Sequence, residues 1–140
     1  MKYILLKEED KDIVLLEALH NLPAIRKFIS ISGNYFSYVT TTENVWYYKI
    51  LQKDIVVGAV HLEKYDDVMY LSLWIRPEFQ QKGYAKEALS YIEKNLCKGA
   101  KSIQVSIEED NIASLRLFER AGYMFVDSDE ELRYYKKEIT

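Results

Sequence analysis

The chain has 140 residues, of which 49% are hydrophobic and 29% charged, with a formal net charge of −3. That length suits one globular domain over 1–140, large enough to bury a core with no metal or disulfide staple. Lysine and arginine number 19 against 22 acidic residues and form no basic stripe, so no nucleic-acid partner is expected.

In chain order, the opening MKYILLKEEDKD carries charge too early for a signal peptide or a membrane span, and no later stretch is long enough to cross a bilayer. Cytoplasmic residence is the default expectation, since the single cysteine, Cys97, cannot form an internal disulfide. Lys2–Leu6 reads as a strand and Asp10–His20 as a helix, with Ile13, Leu16 and Leu19 at helical spacing. Pro23 opens a second helix over Ala24–Ile29. Ser30–Asn44 is polar and tyrosine-bearing, and its Ser32-Gly33-Asn34 and Thr40-Thr41-Thr42 segments predict a long loop. Three strands follow, Val45–Leu51, Ile55–Glu63 and Val68–Ile75, separated by turns at Gln52–Asp54 and Tyr65–Asp67. Pro77 ends the third, because proline gives no donor to a ladder.

Lys82–Cys97 has the clearest helical face, made of Ala85, Ala88, Leu89, Ile92 and Leu96. Cys97 has no second cysteine to pair with and reads as a small buried hydrophobe. Ser102–Ile107 is a strand, and Ile112–Ala121 a helix capped by Asn111 or Asp110 and stopped by Gly122. Met124–Val126 and Leu132–Lys137 close the chain as a hairpin. The order β-α-α-β-β-β-α-β-α-β-β describes a mixed α/β domain. Twelve tyrosines suit strand faces or the walls of a wet cleft.

The segment Ile75-Arg76-Pro77-Glu78-Phe79-Gln80-Gln81-Lys82-Gly83-Tyr84-Ala85 carries the most chemistry. A strand runs through a proline turn into a helix, whose first amides lack intrahelical partners and favour an anion such as pyrophosphate. Gly83 allows close backbone approach, Ala85 stays small and Lys82 adds positive charge. A P-loop would need a terminal Gly-Lys-Ser/Thr, and a dinucleotide fold three glycines after a strand; neither is present.

The pattern Gln80-x-x-Gly83-x-Ala85 after a strand resembles the coenzyme-A loop of the GNAT superfamily of N-acetyltransferases. Downstream, Asn111-Ile-Ala-Ser114-Leu-Arg-Leu117-Phe118-Glu119-Arg-Ala-Gly122-Tyr123 resembles that superfamily's second motif, in the expected order and separated by one helix and one strand. The resemblance implies an α/β (α+β) fold whose mixed, mostly antiparallel twisted sheet of about seven strands carries about four helices and splays at the cofactor site. It implies acetyl-CoA or coenzyme A as cofactor, no metal, and acetyl transfer to a primary amine by direct attack in a ternary complex. The acceptor would be a small-molecule amine or a protein N-terminus or lysine, and the protein a monomer or homodimer.

Residue by residue, the resemblance puts the pantetheine arm on the backbone of Leu73, Trp74 and Ile75, with the Leu73 N–H polarising the thioester carbonyl. Gln80, Gln81, Lys82, Gly83, Tyr84 and Ala85 would hold the pyrophosphate. Gln80 stands where many relatives carry arginine, which removes one charge-assisted contact. Asn111 and Ser114 would reach the far side of the cofactor, and Phe118 would stand by its sulfur. Many relatives have tyrosine at that last position to protonate the leaving thiolate; Phe118 has no hydroxyl, which leaves Tyr84 or Tyr123 as substitutes. The strand stretch Val68–Leu71 has no carboxylate to act as base. Glu63, Asp66 and Asp67 read as a solvated turn and His61 as a structural strand histidine, so no base is assigned. Tyr35, Tyr38 and Glu43 are the expected acceptor contacts, since aromatics with carboxylates suit a cationic amine. A catalytically impaired coenzyme-A-binding sensory or regulatory domain of the same fold is the alternative, motivated by Phe118 and the missing carboxylate.

Overall fold

A computed structural model describes residues 1–29 and 31–139. Ser30, the first residue of the predicted loop, lies outside the described residues. The elements are β1 (Lys2–Leu5), α1 (Ile13–His20), α2 (Pro23–Arg26), α3 (Tyr35–Thr41), β2 (Val45–Gln52), β3 (Ile55–Tyr65), β4 (Val68–Ile75), a 3₁₀ turn (Pro77–Phe79), α4 (Tyr84–Asn95), β5 (Ser102–Glu108), α5 (Ile112–Arg120), β6 (Met124–Ser128) and β7 (Leu132–Glu138).

Seven strands form one sheet in the order β1-β2-β3-β4-β5-β7-β6, antiparallel throughout except where β4 meets β5. Alternating side chains build one core on each face. Val60, Leu62, Met69 and Leu71 pack with Ala88, Leu89 and Ile92 of α4 and Leu115 and Phe118 of α5. Tyr47, Ala59 and Trp74 pack on the opposite face with Leu16 and Leu19 of α1, Ile25 of α2 and Phe36 and Val39 of α3.

The expected loop after residue 30 contains a helix, so the described residues form five helices where about four were expected. Phe36 and Val39, three residues apart, bury one side of α3. The threonine run survives there because Thr40 and Thr41 donate their hydroxyls back to the carbonyls of Phe36 and Ser37. β3 continues to Tyr65, two residues past the expected end, so Glu63 is a strand residue and not part of a turn. Asp66 and Asp67 do form the exposed turn. α2 ends at Arg26, short of Ile29, and α4 starts at Tyr84 rather than Lys82, because Gly83 takes the left-handed φ of 83° as its cap. Gly122, at φ 96°, stops α5 as expected.

Candidate functional site

β4 pairs with β3 along its whole length but with β5 only through Val68–Ser102, Met69–Ile103 and Tyr70–Gln104. Beyond those rungs the two parallel strands separate, and the sheet opens. Backbone groups alternate sides along a strand. The Arg76 N–H bonds Val57 of β3, and the Asp67 carbonyl accepts from Lys101 and Ser102 on the β5 side. Even-numbered residues of β4 therefore address β3, and Leu71, Leu73 and Ile75 turn their backbone groups to the gap. Trp74, expected at the same place, instead turns its backbone to β3 and buries its ring in the core under α1–α3.

The strand-to-helix turn lies just past the gap. Gln81 and Gly83 both have positive φ, 61° and 83°. Among the described hydrogen bonds none is donated by the backbone amides of Gln81 to Lys86, six in a row. An alternation of this kind, ending on a helix N-terminus, is a nest of donors for an anion. Lys82 and Lys86 are exposed beside it, and Tyr84 and Ala85 are half-buried. Gln80 does not face this nest with its amide nitrogen, which donates to the Ile75 carbonyl at 2.9 Å and pins the turn to the strand end. The Asn111 side chain accepts from the Ser114 N–H at 3.3 Å, so that pair caps α5.

Phe118 is 5% exposed and meets Tyr123 edge to face at 5.0 Å in the α4–α5 core, against which Leu73 also packs. The Tyr123 hydroxyl donates to Glu93, so it is committed elsewhere. Cys97 is buried, and burial together with the Glu93 carboxylate pushes its thiol up to about 12, which suits a packing role.

On the α1–α3 face the gap adjoins a cleft of about 170 Å³ lined by His61, Glu63, Tyr70, Ser72, Gln104 and Ser106. Glu63 accepts from His61 Nε2 at 2.8 Å, from the Tyr38 hydroxyl at 2.9 Å and from the Tyr65 hydroxyl at 2.9 Å. Burial pushes the Glu63 carboxyl up, but these three donors outweigh it and hold the group below its ordinary value. His61 Nδ1 meets the Tyr35 hydroxyl at 2.7 Å. Burial lowers the His61 pKa despite the adjoining carboxylate, so the ring is neutral at pH 7 and its contact with Glu63 is a hydrogen bond to an anion rather than an ion pair. Tyr35 and Tyr38, two of the expected acceptor contacts, are thus bonded to His61 and Glu63, which line the cleft. Glu43 is exposed and makes no hydrogen bond to this group among the described residues. The acid in the cleft is Glu63, expected at a solvated turn but carried on β3. Period-two alternation from Ala59 through His61 to Glu63 was the signal that both side chains share a face.

The family model described as "Acetyltransferase (GNAT) domain" matches residues 6–124. The fold is similar to that of a Methanocaldococcus jannaschii domain, at 24% identity and TM-score 0.80 over 98% of both chains. It is also similar to the Campylobacter jejuni N-acetyltransferase PseH in complex with acetyl coenzyme A, at 14% identity and TM-score 0.76 over 99% of both. The GNAT domain of S. lividans PAT matches at 11% identity and TM-score 0.84, over 97% of this chain and 89% of that one.

Proposed function

We propose that this chain, which belongs to the GNAT acetyltransferase domain family, transfers the acetyl group of acetyl-CoA directly to a primary amine within a ternary complex. The observation that carries this reading is the juxtaposition of the β4–β5 opening with six undonated amides at the head of α4. The donors fit a pyrophosphate, and the free strand edge fits an amide-bearing arm, since each offers backbone groups with no partner inside the protein. Gln81 to Lys86 would hold the pyrophosphate by their N–H groups, with Lys82 adding charge from solvent. Leu73 and Ile75 would line the arm. The Leu73 N–H, aimed into the gap, would donate to a carbonyl oxygen placed there, and such a donor is worth most where negative charge develops.

Acetyl-CoA, when bound, supplies an acetyl group activated as a thioester. The protein's own part is to fix the donor end at the nest, present the Leu73 donor, and admit the amine from the cleft on the opposite face. Phe118 supplies no proton, and Tyr123 is held by Glu93. The departing thiolate needs little help, because a thiol ionises near pKa ~8.5. The acceptor suited to the cleft is a cation-forming amine, met by one carboxylate and the rings of Tyr65 and Tyr70.

Titration calorimetry with coenzyme A, followed by assays of acetyl-CoA against a panel of α-amines, amino sugars, polyamines and lysine peptides, tests the proposal. Stoichiometric coenzyme-A binding with turnover on at least one amine is the expected result. A chain that binds no coenzyme A is not an acetyl-CoA enzyme, whatever its fold.

A further inference from the structure

Five polar side chains form one hydrogen-bonded cluster beside the cleft: His61 and Glu63, which line it, with Tyr65 also from β3 and Tyr35 and Tyr38 from α3. Fixing so many polar groups at a partly buried place is costly unless each is satisfied, and here they satisfy one another in a directed chain. A carboxylate only accepts, so His61 Nε2 carries the proton shared with Glu63. Neutral His61 then has its lone pair on Nδ1, where the Tyr35 hydroxyl donates into it. The same cleft reaches the opening of the sheet through Ser72 and Ser106.

We propose that Tyr35, His61 and Glu63 form the proton relay that deprotonates the acceptor amine; this rests on the acetyl-transfer reading above. A proton leaves the amine for the Tyr35 oxygen while the proton already on that oxygen passes to His61 Nδ1. The Nε2–H stays on Glu63, and the imidazolium so formed lies between a phenol oxygen and a carboxylate. Becoming an amide costs an ammonium acceptor two protons. The relay delivers one to solvent, and the other leaves with the thiol. Tyr35 and His61 are the catalytic residues of this step. Glu63 is a positioning residue that fixes the tautomer and steadies the charge.

The titratable groups around the imidazole are Tyr35 and Tyr38 on α3, His20 on α1 and Tyr47 on β2. From the strands beside it come Glu63 and Tyr65 on β3 and Tyr70 on β4. His20 is neutral at pH 7, burial keeps the Tyr35 phenol protonated and the bond to Glu63 does the same for Tyr38, so Glu63 is the one charge that faces the ring among the described residues. Because His61 must be neutral to accept, kcat/KM should be level at neutral pH and fall only below the ordinary histidine value of about 6.5.

The test compares wild type with His61→Gln, Tyr35→Phe and Glu63→Gln, on any amine the panel identifies, with coenzyme-A affinity measured for each. His61→Gln and Tyr35→Phe should each lower kcat/KM roughly 10²–10⁴-fold with coenzyme-A affinity unchanged, and the acid limb should disappear in His61→Gln. Glu63→Gln should move that limb to lower pH, a change a purely structural tie would not produce. Nitrogen-15 NMR of the free wild-type protein should show His61 as the Nε2–H tautomer. The inverse tautomer, or a His61→Gln variant with wild-type turnover, overturns the relay alone. Wild type that binds coenzyme A yet acetylates no amine overturns the reaction and the relay together.

Discussion

His20 is 1% exposed, and its Nε2 lies 2.8 Å from the Tyr47 hydroxyl. Burial, with the nearby His61 ring, lowers its pKa to about 4. The unfolded group titrates near 6.5, so this residue's stabilising contribution is complete above that pH and is lost as pH falls through about 4. The shift corresponds to an order of magnitude of ~3 kcal/mol. Urea titrations at pH 7.5 and 4.5 should show wild type losing most of that amount beyond what His20→Gln loses to acid; equal losses would mean that His20 is hydrated in the folded chain. Phe118 makes a second test of single-residue chemistry. Its ring belongs to the core against which Leu73 packs; if the cofactor lies as proposed above, Phe118→Tyr would bring a proton donor towards its sulfur. A modest rise in turnover below pH ~8.5 is expected, with coenzyme-A affinity unchanged. A lower melting temperature with no gain in rate would put the ring wholly inside the core. Tyr35, His61 and Glu63 show why such sites are hard to read from a chain. Tyr35 and His61 are 26 positions apart, and nothing local marks either as the other's partner.

Two glycines, one inside β3 and one at the head of α4, carry the next set of expectations. A Cβ on Gly58 would stand 2.2 Å from the Trp74 carbonyl oxygen, at the point where β3 faces the end of β4. Gly58→Ala should therefore cost roughly 1–3 kcal/mol in denaturant unfolding and disturb the lip of the gap. An unchanged midpoint would show that β4 can yield there. Gly83 differs in kind, because its φ is +83° but the space around it is open. Gly83→Ala brings only backbone strain, whereas Gly83→Glu adds a carboxylate at the anion nest. Calorimetry should find coenzyme-A affinity more than tenfold weaker for the glutamate variant than for the alanine variant, a difference above about 1.4 kcal/mol. Affinities that match would place the phosphates elsewhere. The strand–turn–helix at 75–85 was legible because glycine, proline and helix periodicity are local signals. α3 was not, because its helix rests on Phe36 and Val39 reaching a core that only the folded chain supplies, and its threonines disguise it as loop.

At the scale of the whole molecule, element order alone conveyed a mixed domain, since seven strand-like and four of the five helical segments announce themselves by spacing. The opening between β4 and β5 had no signature in either strand; it entered the reading only through resemblance to a family. Pairing is a property of two segments, and the residues of β4 past Tyr70 would serve a continuous ladder equally well. That opening also governs how the protein comes apart. Across the sheet β1–β4 and β5–β7–β6 are joined by three rungs at one end, which leaves the shared α4–α5 core as their main tie, so each half is a candidate unit for local opening. A ligand that engages both lips works as a rivet between them. In the free protein, amide exchange should report two separate protection levels, one for each half; at saturating coenzyme A the two should merge into a single cooperative unfolding event, because neither half can then loosen without releasing what holds the other.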